Sequence, residues 1–322
     1  GPAGADPAEW AVIPAALGRS DRVFLSGSLT TPNGELDLAN AARCAETIVA
    51  LAKLEPDGFA NLRFCALANV PAYTPFFPAA YAKREHPAFA LALQSADLAL
   101  DCFSQAKSMD EARQSLIDSV NSNAARLEAV GKKLENMYSY EFKGLDFTLA
   151  PHPDQSASIG SALEALGLPA FGPHGSLFGS AFLTSILQQA QYRKVGFNGL
   201  MLPVLEDSTL ALRAADGSLS VTELLMFSAV CGAGLDVIPL PGNTTAEEIY
   251  PILLDLGALA LRLSKPLTAR LMPIPGKHAG DLTTFDFGYF ANSRVMPLRS
   301  QKLTGLMTGS EKIKLPQRET QG

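Results

Sequence analysis

Gly199-Leu-Met-Leu-Pro-Val-Leu-Glu206-Asp207, then Leu212-Arg213, then Ala229-Val-Cys231-Gly-Ala-Gly-Leu-Asp236, closing on Pro239-Leu-Pro241-Gly242, is the stretch that decides the fold. An apolar run of strand length delivers two adjacent carboxylates. A helical segment from Val221 to Ala229 follows, and a glycine turn leads into a short second strand, Leu235 to Ile238. Strand, helix and strand in that order imply two parallel strands with the helix packed over them. In such folds ligands bind beyond the carboxyl ends of the strands, where Glu206 and Asp207 stand. Acids at the ends of buried elements cost free energy unless something binds them, so this block is also the first place to look for chemistry.

Outward from it, β-type and helical runs alternate. Arg22 to Gly27 and Asn61 to Leu67 read as strands, with a helix between them from about Asp37 to Leu54. Pro87 to Phe103 reads as a helix. Ser108 caps the next one, Glu111 completes a capping box, and Leu116, Val120, Leu127, Leu134 and Met137 mark its apolar stripe. Leu145 to Ala150 is strand-like, Ile159 to Leu166 a short helix ended by Gly167, and Ser176 to Tyr192 a longer one. Thr245 to Leu263 is an apolar helix opened by a Thr245-x-x-Glu248 box and kinked or shifted by Pro251; it needs cover, as in a barrel shell or a dimer contact. Leu267 to Met272 closes the series as a strand.

The expected class is therefore α/β, a parallel sheet with helices outside, in one domain over residues 1–299. Within it, residues 1–8 are expected to be a cleavage scar (Gly1-Pro2) and a flexible start, with no basic leader, while the polar, basic segment 300–322 is expected to trail as a tail.

A chain of 322 residues can bury a large core, and 47% hydrophobic with 18% charged residues is an ordinary soluble composition. The net charge of −6 favours neither a phosphate backbone nor an anionic membrane, so neither nucleic acid nor membrane is expected as a partner. Cys44, Cys65, Cys102 and Cys231 are widely spaced without a CxxC pair, which argues against a zinc knuckle or a disulfide framework and for a cytoplasmic setting. The most apolar segment, Ile249 to Leu263, holds Asp255 and Arg262 and is too short to span a bilayer.

Glu206 and Asp207 suit a hard cation such as Mg²⁺ or Ca²⁺, or an acid–base pair if burial raises one of them. As plain structure they are a turn with a helix-capping Asp and a solvated Glu. Asp236 can join them from the next strand or satisfy loop amides. Cys231 sits at a helix end, where the dipole raises a thiol pKa, so it reads as packed rather than nucleophilic. Gly175 and Ser176 start a helix whose free amides can take an anion, or they form a Ser-capped turn. Arg270, inside an apolar strand, is either paired to a carboxylate or a bidentate clamp for substrate, and Lys277 follows in the exit loop. Thr74-Pro-Phe-Phe-Pro78 is a rigid aromatic loop that packs or walls a pocket. No HxH, HExxH or GxSxG pattern occurs.

Several strings stand in a familiar order: Arg63-Phe64, Thr74-Pro-Phe-Phe-Pro-Ala-Ala-Tyr81, Ser158-Ile-Gly160, Gly196-Phe-Asn-Gly-Leu-Met201 and Pro203-Val-Leu-Glu-Asp207. Ala229-Val-Cys-Gly232, Gly234-Leu-Asp236, Lys265-Pro-Leu267, Ala269-Arg-Leu271, Pro275-Gly-Lys277, Ala279-Gly280 and Thr284-Phe-Asp286 follow. From about Arg63 to Met296 the chain resembles the domain-of-unknown-function 711 family, also labelled PFL-like. The resemblance implies an α/β barrel like that of pyruvate formate-lyase and other glycyl-radical enzymes, and a homodimer. Radical chemistry is not expected with it, because Asn292-Ser-Arg-Val-Met296 has no glycine where such enzymes carry an Arg-Val-x-Gly-Tyr type of motif. The motif blocks include Arg63, Thr74, Glu206, Asp207, Asp236, Arg270, Lys277 and Asp286, as the pieces of one barrel-mouth site would.

The expectation is then a non-radical enzyme of lyase, isomerase or hydrolase type. Glu206, Asp207 and Asp236 hold Mg²⁺ or Ca²⁺, or one of them is the general base, and Arg270 completes the catalytic set. Arg63, Thr74, Gly175, Ser176 and Lys277 bind a small or medium-sized anionic substrate. The alternatives are a non-catalytic small-molecule-binding or regulatory protein on the same scaffold, and a structural dimer whose acids pair internally with Arg270 and Lys277.

Overall fold

The computed structural model describes residues 1–4, 6–83 and 86–317. Among these residues the strands are β1 (Leu25–Ser28), β2 (Glu35–Asp37), β3 (Phe64–Ala68), β4 (Ala88–Gln94), β5 (Glu141–Ala150), β6 (Gly234–Pro241), β7 (Leu267–Ile274) and β8 (Lys312–Lys314). They form a four-stranded sheet in the order β1-β3-β7-β6 and the pairs β2-β8 and β4-β5. In the large sheet β1 and β3 are parallel, as are β6 and β7, but β7 runs antiparallel to β3. The α/β class holds, while the sheet is mixed rather than parallel. The ladders of the described residues stay in three sheets and do not close into one ring.

The stretch 199–205, expected as a full strand, meets the sheet through a single parallel bridge from Pro203 to Asp236, with Val204 N donating to Asp236 O at 3.1 Å. Proline has no N–H to continue a ladder, so the segment lies along β6 as an edge without becoming a strand. Its side chains are still core: Leu200, Leu202, Val204 and Leu205 are fully buried.

Pro87 to Phe103 divides, contrary to the single helix expected there, into β4 and the helix Ala96–Gln105. In Ala88-Phe-Ala-Leu-Ala-Leu-Gln94 the large residues recur at every second position, so Phe89, Leu91 and Leu93 share one face and pack against the core. That period overrides the helix propensity of Ala and Leu. The helix Met109–Tyr138 forms as expected and buries Leu116, Val120 and Ala124, but its last turns carry Met137 out into solvent. Ser108 caps it, whereas Glu111 reaches one residue further back than expected, to Lys107 N at 2.9 Å.

The helix Leu38–Ala52 crosses from β1 to β3 and buries Ala41, Cys44, Ala45, Ile48 and Leu51. The helix Ala246–Arg262 packs beside it and keeps the Thr245–Glu248 capping box. The segment from Ser300, expected to trail, instead folds back. β8 pairs antiparallel with β2, Tyr250 Oη donates to Met307 O at 2.8 Å, and Leu303 and Leu315 rest on the core. Its final residues, 318–322, lie outside the described part. A polar composition with an apolar residue every few positions is enough to pair a short edge strand that offers free N–H groups.

The loop 74–81 turns Thr74, Pro78 and Ala79 inward and leaves Phe77 exposed. Phe76 packs against Cys65, Leu67 and Phe197 on one side and against Ala150, Met201 and Ala233 on the other. Backbone meets backbone where Gly199 and Gly232 cross: a Cβ on Gly199 would lie 2.5 Å from the Cα of Gly232. Neither side can yield, so Gly199→Ala is expected to destabilise by about 1–3 kcal/mol, read from the urea midpoint at unchanged slope.

Candidate active site around Arg270 of β7

The register between β6 and β7 runs Leu235 opposite Ala269 and then Ile238 opposite Leu271. Asp236 and Val237 thus share the place facing Arg270, a bulge of one extra residue. Val237 has φ 41°, a left-handed conformation that a β-branched side chain adopts only under strain of about 1–3 kcal/mol. It is held there by full burial among Leu62, Leu205, Met272 and Phe290. A second irregularity lies in β5, where three residues, with Leu149 at φ 40°, intervene between Asp146 opposite Ala92 and Ala150 opposite Gln94. Bulges near strand ends re-aim side chains, and these two flank one cavity.

The bulge brings Asp236 onto Arg270. Arg270 Nε donates to Asp236 Oδ1 at 2.6 Å, and its Nη2 donates to Glu206 Oε1 at 2.9 Å. Arg270 and Asp236 are buried, whereas the Glu206 side chain keeps 23% of its surface open. Glu206 and Arg270 form the floor of a cavity of about 210 Å³, walled by Phe24, Gln94, Pro151, Phe287 and Tyr289. Gln94, Pro151 and Glu206 put the cavity at the carboxyl ends of β4, β5 and the segment 199–205, whereas Asp236 and Arg270 stand third and fourth in their own eight-residue strands. Burial pushes the Glu206 carboxyl up to about 7; Arg270 pulls it back and Asp236 pushes it further up.

Asp207 does something else. Its Oδ1 accepts from Ser158 Oγ at 2.8 Å, Thr209 N at 2.9 Å and Leu210 N at 2.8 Å. Its Oδ2 accepts from Ile159 N at 2.6 Å and Gly160 N at 3.3 Å. One carboxylate therefore caps two helices, Ser208–Asp216 and Ile159–Ala165, and binds them together. Gly160 is required there, because a Cβ would come within 2.8 Å of Thr209 Cβ. Burial raises the Asp207 pKa and these hydrogen bonds oppose the rise.

The three carboxylates consequently do not make one ligand set. Asp207 spends its oxygens on N–H and O–H donors, and the near oxygens of Glu206 and Asp236 face a guanidinium. Among the described residues no three His, Cys, Asp or Glu side chains converge as a metal ion needs. These residues do not fit a resident Mg²⁺ or Ca²⁺; the cation built into the site is Arg270.

The other expected residues lie apart, and none of them lines this cavity. Arg63 turns to Glu55 Oε1 at 2.9 Å and to the carbonyls of Leu17 and Ser20, tying the helix Ile13–Arg19 to the start of β3. Thr74 Oγ1 donates to Pro71 O at 2.8 Å, inside its own loop. Ser176 Oγ accepts from Gly172 N at 2.9 Å and closes the turn through Gly175, which has φ 103°. Lys277 sits in the turn after β7, its carbonyl accepting from Gly242 N at 2.9 Å. Asp286 is exposed, and Cys231 is buried with Sγ accepting from Gly234 N at 3.4 Å, as its packed reading required.

Sequence reasoning missed the walls. The run Phe285-Asp-Phe287-Gly-Tyr289-Phe290 carries the signal, four aromatics in a loop after the last core strand. Next to it, His152 Nδ1 lies 3.0 Å from Asp154 Oδ2, with its ring edge-on to Tyr289. Asp146 was missed as well. It accepts from Phe197 N at 2.7 Å and Asn198 N at 2.9 Å, pins the loop after Gly196, and is raised to about 6 by burial.

Fold and site together define a mixed α/β protein with an acid–guanidinium–acid cluster under a small aromatic cavity at its strand ends. The chain belongs to the family described as Uncharacterised ACR (DUF711), whose profile matches residues 2–292. It is similar to a UPF0210 protein of Pyrobaculum aerophilum, 30% identical over 295 residues, 85% of this chain and 65% of that protein. A UPF0210 protein of Syntrophobacter fumaroxidans is 29% identical over 294 residues, 87% of this chain and 64% of that one. A UPF0210 protein of Lactobacillus delbrueckii subsp. bulgaricus is 26% identical over 313 residues, 94% and 69%. The chain thus spans less than two thirds of the length of the first two. Among the described residues no helix is long and apolar enough to cross a membrane.

Proposed function

We propose that this chain is a non-radical acid–base enzyme, of lyase, isomerase or hydrolase type, acting on a small anionic molecule in the Arg270 cavity. The observation that supports the reading is Glu206, a carboxyl open to the cavity and raised to about 7. A group that titrates near neutral pH can both give and take a proton in one cycle. When Glu206 is protonated, Arg270 has one ionised partner, Asp236, and N–H donors to spare for an anion. The substrate's negative group docks on the guanidinium, and Glu206 hands its proton to the adjoining atom. Asp236 holds the guanidinium in place from behind, and the aromatic walls limit water.

Anion affinity is therefore expected to fall as pH rises through about 7, because ionised Glu206 competes for Arg270 and repels the ligand. Calorimetry with acetate and malonate across that range tests it, with Glu206→Gln expected to flatten the profile. A flat profile in the wild type rejects the reading.

Stability follows the same titration. The carboxyl is raised from 4.5 to about 7, so the folded chain binds the extra proton between those values. Its stabilising effect is complete below the lower value and is lost as pH rises through the upper one. Glu206→Gln is expected to gain roughly 1–3 kcal/mol over the wild type at about pH 8 and little at about pH 5, by urea unfolding.

A non-catalytic binding protein is the second reading. It is favoured by the completeness of the Arg270 pairs, in which both carboxylates already hold a guanidinium N–H; turnover of a bound anion by the wild type and not by Glu206→Gln decides between the two. On the family resemblance we also take the sheets as part of a PFL-like barrel that pairs as a homodimer in the cytoplasm. Sedimentation equilibrium checks the pairing.

A further inference from the structure

A second cavity, of about 770 Å³, opens at the other end of the four-stranded sheet. It lies over the carboxyl ends of β1 and β3, the parallel pair joined by the helix Leu38–Ala52, near the start of that helix. In open α/β sheets this end of a parallel pair is where ligands collect.

Two side chains that line it are almost wholly buried, yet each presents an unused polar atom to the space. Asp37 is 4% exposed; its Oδ1 accepts from Asn40 N at 3.0 Å, and its Oδ2 has no partner among the described residues. Asn40 is 3% exposed; its Oδ1 accepts from Arg43 Nη1 at 2.9 Å, and its Nδ2 has no partner among the described residues. An acceptor and a donor pair are thereby fixed one helical turn apart. Both atoms are open to solvent from the cavity, and a ligand whose hydroxyl groups match the pair takes the place of that solvent.

The remaining lining narrows the ligand's chemistry. Leu67, Val70 and Tyr81 supply an apolar wall, with Tyr81 pinned by Oη donation to Val70 O at 2.8 Å. Thr30 Oγ1 accepts from Asn69 N at 3.0 Å and keeps its own proton to give. Glu35 and Asp37 are balanced by Lys83 and Lys312 on the same cavity, so the site has no net charge to attract an ion. A phosphate would find no net positive charge there, and an apolar molecule would leave Asp37 and Asn40 without a match.

We infer that this cavity binds an uncharged polyhydroxy molecule of monosaccharide size. One hydroxyl donates to Asp37 Oδ2, a neighbouring hydroxyl oxygen accepts from Asn40 Nδ2, and the C–H face of the ring lies on the Tyr81 wall. This site is separate from Arg270, and its assignment does not depend on the proposed reaction.

The test is an NMR titration of the isotopically labelled full chain with D-ribose, D-glucose and myo-inositol, with inorganic phosphate and cyclohexanol as controls. At least one polyol is expected to shift the Asn40 side-chain amide and the Leu67 and Val70 backbone amide signals saturably, and Glu206→Gln to leave that binding unchanged. The backbone signals also read affinity in the Asn40 variants. Asn40→Asp keeps the acceptor for Arg43 but turns the donor into an acceptor, so affinity is expected to drop by about tenfold or more at an unchanged thermal midpoint. Asn40→Ala should lose binding likewise. No saturable shift with any polyol, equal affinity in Asn40→Asp, or binding of phosphate or cyclohexanol in place of polyols would each overturn the assignment.

Discussion

Asp207→Ala is expected to lower the unfolding free energy by about 3–5 kcal/mol, the larger end of what one substitution does. The carboxylate accepts five hydrogen bonds in a fully buried place, from Ser158 Oγ and from the N–H groups of Ile159, Gly160, Thr209 and Leu210. Removing it orphans donors at the starts of two helices at once, where water cannot replace the acceptor. The loss exceeds that of an ordinary helix cap, about 1 kcal/mol, because the same oxygens also join the two helices. Asp207→Asn keeps one oxygen and should fall between the wild type and Ala. Chemical denaturation measures both, and a loss under about 1 kcal/mol for Ala would contradict the double-cap account.

Arg270→Met is the second large effect. It leaves Glu206 and Asp236 beside each other without their shared cation. Breaking a buried pair from one side costs about 3–5 kcal/mol, since an uncompensated charge remains in a poorly solvated place. The cost should be greatest at about pH 8 and much smaller at about pH 5, where Glu206, already raised to about 7 beside Arg270, takes up a proton. The triple substitution Arg270→Met, Glu206→Gln, Asp236→Asn should recover most of the loss, because the network as a whole adds little over neutral groups of similar volume. A pH-independent loss in the single variant, or no recovery in the triple one, would show that Arg270 acts by packing alone.

The order of elements was legible because it rests on local periodicity. The helices Leu38–Ala52, Ile159–Ala165 and Ala246–Arg262 and the strands β6 and β7 stand close to where spacing and caps put them. Failures came where two local signals competed. In β4 the alternation of Phe89, Leu91 and Leu93 was hidden by helix-favouring Ala and Leu. Along 199–205 an apolar run had the length of a strand, but Pro203 cannot carry a ladder. The candidate site was legible in part: Glu206, Asp236 and Arg270 meet, and Arg270 takes the carboxylate pairing that stood as one of its two readings. Its walls were not, since Phe24, Gln94 and Tyr289 come from segments far apart in the chain.

The adjacent pair Glu206-Asp207 shows where the division lies. By itself the sequence determined an apolar run ending in two acids, a helix behind them and a third acid on the next strand, because side-chain type and spacing act over a few residues. Only the tertiary structure decided that neighbours in sequence part company. Asp207 turns into the starts of two helices as a cap, while Glu206 turns to Arg270 and the cavity. The physical reason is that an acid's role depends on which donors the fold brings within hydrogen-bonding reach. Those donors, an arginine on β7 and amides near residue 159, are set by packing between distant segments.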